Sequence, residues 1–180
     1  PRLVFVGSPG YVWHGVEKLA ALAERFPDLT LDVMGYDALS GVPHPPQNIT
    51  LHGYQTRAGY LRILAQADVA FGSLALHRIG MLEGSPLKSR EALAYGLPLI
   101  LPYRDVDFEN VEYDWLLNIP NREDNVLTHA QAIHDFAYRM RGRRADRAVV
   151  ARQVGAQRKE HERLAFFQRV IDDQDGTRRL

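Results

Sequence analysis

Glu83-Gly84-Ser85-Pro86-Leu87-Lys88-Ser89-Arg90-Glu91-Ala92-Leu93-Ala94-Tyr95-Gly96-Leu97-Pro98 decides how this 180-residue chain is read. The stretch starts as a loop and becomes a short helix, with Ser85 placed as N-cap and Pro86 as the first helical residue. Gly96 and Pro98 stop the helix, and Leu99-Ile100-Leu101 leaves as a strand. Lys88 and Glu91 stand three apart and share a face. Glu91 falls between Leu87 and Ala94, on the stripe expected to face the protein, where a carboxylate needs a partner. A helix N-terminus flanked by two carboxylates and a lysine suits a ligand with phosphates and several hydroxyls.

Upstream, Leu3-Val4-Phe5-Val6 is a continuous apolar run, as expected of a strand buried on both faces. Gly7 to Gly15 is a glycine-containing loop, and Val16, Leu19, Ala20, Ala23 and Phe26 follow at helical spacing. Strand, glycine loop and helix is an order that places phosphates at a helix start. Glycines at 7, 10 and 15 do not fit the dinucleotide fingerprint. Within the loop, Trp13 reads as a packing residue and His14 equally well as a helix-start residue facing water. Leu29 to Gly35 predicts a second strand, followed by a stiff proline loop, Gly41 to Pro46. Ile49 to His52 predicts a third strand ending at Gly53, after which Tyr54 packs at the strand end or faces a ligand. Thr56 caps a helix carrying Tyr60, Ile63, Leu64 and Ala67 on one stripe.

Asp68 to Phe71, Leu99 to Leu101 and Trp115 to Ile119 complete six strands. His77 and Arg78 lie in the loop from Gly72 to Leu82, close to Glu83. Asp105 to Asp114 is an acidic, aromatic connection with room for a short helix, its carboxylates read as a solvated edge. From Glu123 the pattern is helical to about Asp172, broken near Gly142. Alternating strands and helices predict an α/β fold, a single Rossmann-like domain over residues 1–180 with a mostly parallel, doubly wound sheet and closing C-terminal helices. The loops after strands one, three, four and five then form a crevice.

Acidic and basic residues balance at 22 each, so global charge does not point to nucleic acid. The absence of cysteine excludes disulfides, thiolate metal sites and a cysteine nucleophile. No apolar run has the length of a membrane span, and no signal peptide is recognisable, so a cytoplasmic location is expected. Opening at Pro1 straight into a strand suggests a piece of a longer protein. Nine Arg or Lys stand against three Asp or Glu between Arg139 and Arg163. That run reads first as a solvated helix face, and second as a contact with anionic lipid or another domain, hence membrane association through the parent protein. His129, His134 and His161 lack the spacing of a helical metal pair, so no metal is assigned.

In spacing, helix and exit strand, Glu83…Glu91-Ala92-Leu93-Ala94-Tyr95-Gly96-Leu97-Pro98 resembles the donor-site motif of retaining GT-B glycosyltransferases, the glycosyl transferases group 1 family. The strings 48–54 and 64–69 resemble it too, and the likeness covers roughly Leu3 to Pro120. It implies the donor-binding half of a GT-B fold, taking a nucleoside diphosphate sugar for retaining transfer of a hexosyl group. The acceptor hydroxyl would be held by an N-terminal domain of the same parent chain, so this fragment alone is expected to be inactive. The resemblance places Glu83 on sugar hydroxyls, Lys88 on the diphosphate and Glu91 on the ribose. Gly84, Ser85 and Leu87 line the site, and Gly53-Tyr54 approaches the base. The family often has Arg directly after the first glycine and Lys six residues later. Here Gly7 is followed by Ser8 and, at the second place, His14, so a hydroxyl and an imidazole stand in for two cations. No cofactor beyond the substrate is implied, and no Asp-x-Asp motif points to a metal. The alternatives are a non-catalytic nucleotide or nucleotide-sugar binding module, which the Ser8 and His14 departures favour, and half of a sugar-nucleotide epimerase.

Overall fold

The computed structural model describes residues 1–109 and 112–177, with side chains to residue 173. Six strands form one all-parallel sheet: β1 Arg2–Val6, β2 Thr30–Met34, β3 Ile49–Leu51, β4 Val69–Phe71, β5 Leu99–Leu101 and β6 Leu116–Asn118. Their order is β3-β2-β1-β4-β5-β6, so the winding reverses between β1 and β4. β4 and β5 are buried along their whole length, as are Leu3, Val4 and Phe5 of β1. This is why these strands read as unbroken apolar runs: helices cover both faces. The helices are α1 Lys18–Arg25, α2 Arg57–Gln66, α3 Leu87–Ala94, α4 Asn125–Thr128, α5 Ala130–Met140, α6 Arg147–Val154 and α7 Ala156–Thr177.

All six expected strands form where the apolar runs stand. The strand ends are drawn together tightly at one point. Gly35 has φ +87°, and a Cβ there would lie 1.9 Å from the Gly7 carbonyl oxygen. Only glycine allows the turns after β1 and β2 to approach so closely.

The start of α3 differs from expectation. Pro86 is the capping residue, extended at ψ 140°, and the helix begins at Leu87 with no side-chain cap. Proline restricts the residue before it to extended backbone, which keeps Ser85 out of the helix. The Ser85 hydroxyl instead accepts a hydrogen bond from Arg90 at 2.6 Å. Gly96 ends the helix with φ +76°, and Thr56 caps α2 by accepting from the Gly59 N–H, both as read from the sequence.

The connection after β5 is a second correction. Its residues 110 and 111 lie outside the described ones, and the rest of it forms turns rather than a helix. Asp105 and Asp107 are 4% and 7% exposed, so neither belongs to a solvated edge. The break near Gly142 falls between α5 and α6, where Asp146 caps α6 by accepting from the N–H groups of Ala148 and Val149. Along α7, Leu164, Phe166, Phe167, Val170 and Ile171 are exposed. No helix among the described residues is long and apolar enough to cross a membrane.

Candidate functional site

A cleft of about 590 Å³ opens above the switch between β1 and β4. Open α/β sheets take ligands at this place. The loop after β1 contributes Trp13 and His14, the loop after β4 contributes Ser73, Leu76, Ile79 and Met81, and residues 84–88 form the remaining wall. Ser89 and Arg90 make the first hydrogen bonds of α3, both to the Pro86 carbonyl, so the N–H groups of Leu87 and Lys88 precede the helical ladder and stand at its positive end.

Lys88 reaches inward from this helix start. Its ammonium donates to the Val6 carbonyl at 3.2 Å and lies 4.5 Å from the centre of the Phe5 ring. Among the described residues no carboxylate pairs with it. Burial lowers its pKa to about 7. His14 is 9% exposed and sits beside this lysine. Its pKa is lowered to about 4, first by burial and then by the Lys88 charge, against a hydrogen bond with the Ser8 carbonyl that raises it. The Tyr36 hydroxyl donates to the Ser8 carbonyl at 2.7 Å and lies 2.7 Å from His14 Nδ1. His14 therefore does not face water: it is a neutral, buried member of a polar knot under the loop. A Cβ on Gly7 would lie 2.7 Å from its Nδ1.

The structure brings together His14, Gly84, Ser85, Leu87 and Lys88 on one cleft. It places the other expected residues around that cleft without lining it. Ser8 lies beneath it, its N–H 3.3 Å from His14 Nδ1, and Gly7 bonds to the Met34 carbonyl at the ends of β1 and β2. Glu83 is exposed, joined to Arg104 by a β-bridge and a 3.7 Å ion pair. Glu91 lies a turn farther along α3 and accepts from the Tyr60 hydroxyl at 2.7 Å. Tyr54 is 74% exposed, which removes packing at the strand end as its role. His77 and Arg78 turn from the cleft to a clamp with Glu123, with Asn121 holding His77 and Glu17 holding Arg78. Trp13 does pack against the core, and it also walls the cleft.

Arg90 fixes the back of the same helix. Its guanidinium grips Asp105 through two 2.7 Å hydrogen bonds, reaches Asp107 at 2.7 Å, and holds the Ser85 hydroxyl. Lys159 of α7 pairs with Asp107 from the other side. Two buried carboxylates thus meet two cations, as buried charge requires.

No family model and no curated protein matches the chain. Among solved structures, the sucrose-phosphate synthase of Thermosynechococcus elongatus superposes on 98% of this chain with a TM-score of 0.54 at 20% identity. A putative UDP-N-acetylglucosamine 2-epimerase from Listeria monocytogenes superposes on 90% with a TM-score of 0.51 at 16% identity. The fold is that of one Rossmann-like half of a GT-B protein. The chain spans 44% and 46% of those two proteins, less than half of either.

Three residues that hold side chains around this cleft carry no functional signal in the sequence. Tyr60 has only the signal of an apolar stripe, Tyr36 stands at the end of a strand, and Arg90 looks like a solvated helical arginine. Their partners are 31, 28 and 15 residues away in sequence, respectively Glu91, Ser8 and Asp105. Side-chain pairing over such distances leaves no local pattern.

Proposed function

We propose that the chain is the donor-binding half of a glycosyltransferase, holding a nucleoside diphosphate sugar for retaining transfer of a hexosyl group to an acceptor hydroxyl on an N-terminal domain. The observation that carries this reading is Lys88 at the head of α3, which lines a cleft at the sheet's switch point and has no carboxylate partner among the described residues. Charge develops on the diphosphate as the glycosidic bond breaks, and preorganised donors stabilise it most effectively where water is excluded. Lys88 and the N–H groups at the start of α3 supply those donors, and Ser8 and Ser85 add hydrogen bonds near the loop. Glu83 orients the sugar hydroxyls after exchanging its weak, exposed contact with Arg104 for them. Glu91 receives the ribose hydroxyls, and the exposed Tyr54 lies against the base. A sugar-nucleotide epimerase half is the second reading, since the same donor cleft serves it and the Listeria structure shares the fold. Assay of the parent chain for transfer or for epimerisation separates the two.

The test follows from the charge of Lys88. An anion beside the ammonium favours its protonated form, so diphosphate binding draws a proton onto a lysine whose pKa is about 7. At pH 8 most of the unliganded molecules carry it neutral. Calorimetric titration with UDP, ADP and GDP in two buffers of different ionisation enthalpy should show uptake approaching one proton at pH 8. Uptake should be much smaller at pH 6, where the amine is already charged. Affinity for diphosphate should fall as pH rises above 7, while affinity for the bare nucleoside stays level. Binding without proton uptake at pH 8 would place the diphosphate away from Lys88.

A further inference from the structure

Resting on that reading, we infer that Tyr60 is the positioning residue for ribose recognition. Its phenol holds the Glu91 carboxylate in place, so that the second carboxylate oxygen meets the vicinal hydroxyls of a nucleotide. Tyr60 stands on α2 and Glu91 on α3, and the hydroxyl spans the two helices to Glu91 Oε2 at 2.7 Å. The tyrosine ring is half-buried and packed against the core, beside the buried Ile63 and Leu64 of its own helix. It is therefore a stiff arm rather than a free surface group. Glu91 is also half-buried, and among the described residues it has no cation.

Of the two Glu91 oxygens, the described residues engage only Oε2, and the other is left open to a ligand. Two oxygens offer about four acceptor sites, and the described residues fill a single one. Oε1 receives nothing from the described residues, and a diol with two donors at adjacent carbons matches its two open acceptor sites. Burial and the neighbouring carboxylate both raise the phenol's pKa, so at neutral pH Tyr60 remains the donor and Glu91 the acceptor. A carboxylate pinned through one oxygen loses less freedom on binding than a free one. Discrimination against a sugar lacking one hydroxyl follows, since a donor missing from the diol leaves an acceptor unpaired.

The experiment compares affinities for UDP, ADP or GDP, whichever binds tightest, with its 2′-deoxy and 3′-deoxy forms, on the full 180-residue chain. The wild type should prefer the ribonucleotide tenfold or more. Tyr60→Phe removes one oxygen and keeps the ring, and a melting curve confirms that it folds. This variant should narrow the preference to threefold or less. Glu91→Gln should narrow it as well, and the double variant should add nothing further, because the two residues act as one unit. If Tyr60→Phe weakens ribo and deoxy forms equally, or leaves both unchanged, Tyr60 is a tether between helices and the inference is overturned. A wild type that binds the nucleotide with no preference for ribose removes Glu91 from the ribose and overturns it too. A wild type that binds none of the three diphosphates refutes the donor reading itself, and this inference with it.

Discussion

Lys88→Met is expected to make the domain more stable while removing its preference for diphosphates. A pKa lowered from 10.5 to about 7 means that the folded state holds the lysine proton less firmly than the unfolded chain. Below pH 7 both states carry the proton, and burying the ammonium counts fully against folding. Between pH 7 and 10.5 the unfolded state binds more protons, so stability rises with pH. Every tenfold loss of proton affinity on folding corresponds to about 1.4 kcal/mol. An apolar side chain of similar length should therefore stabilise the chain at pH 7 by on the order of 2–4 kcal/mol. Urea denaturation of both forms at pH 7, 8 and 9.5 checks this. The wild type should gain stability across that window and Lys88→Met should gain much less. Lys18, whose pKa is also lowered chiefly by burial, contributes equally to both forms and cancels in the comparison. Meanwhile nucleoside diphosphate affinity should drop tenfold or more, with the bare nucleoside little affected. A variant that is destabilised at neutral pH would mean that Lys88 supports the fold through Val6 and Phe5 rather than waiting for an anion.

His14 acts in a different pH range, which keeps the two effects separable. Its folded pKa is about 4 against an ordinary 6.5. The unfolded chain binds the extra proton between these values, so stability is fully present above pH 6.5 and falls as pH drops towards 4. His14→Gln should flatten that acid limb of the stability curve and leave the rise above pH 7 intact.

The sheet is legible in the sequence because its strands are buried on both faces, and a continuous apolar run such as Leu3 to Val6, short and closed by a glycine, suits a covered strand. The place of Lys88 is legible as well, since the helix start that carries it forms a wall of the cleft. The roles of the acids are not. Glu91 stands out, but its donor Tyr60 lies hidden in a stripe that reads as core. Asp105 and Asp107 look like a solvated edge because acidic loops usually are; the cations that bury them come from 15 residues upstream and 52 downstream. His14 looks like a surface residue because its burial depends on Tyr36, which arrives from the next strand. Local pattern specifies the elements, whereas the polar interior is specified by contacts between them.

That interior yields the second large effect, at Arg90. Arg90→Met keeps the length of the side chain and its contact with Phe108, over whose ring the guanidinium lies at 5.3 Å. It leaves Asp105 buried with no cation, since both of its strong hydrogen bonds come from Arg90. Asp107 retains Lys159. Removing one partner of a buried ion pair costs about 3–5 kcal/mol, far more than intact pairs contribute, because the surviving charge has lost its solvation. Arg90→Lys should recover only part of this, since an ammonium cannot reproduce the two-pronged grip on Asp105. The same substitutions release the Ser85 hydroxyl at the mouth of the cleft. Nucleoside diphosphate affinity should then weaken even in conditions where Arg90→Met is fully folded, and weaken less for Arg90→Lys. Denaturation curves of the three forms, with titrations on each well below its melting temperature, measure both effects. An Arg90→Met domain as stable as the wild type would mean that the buried Asp105 does not depend on the Arg90 charge.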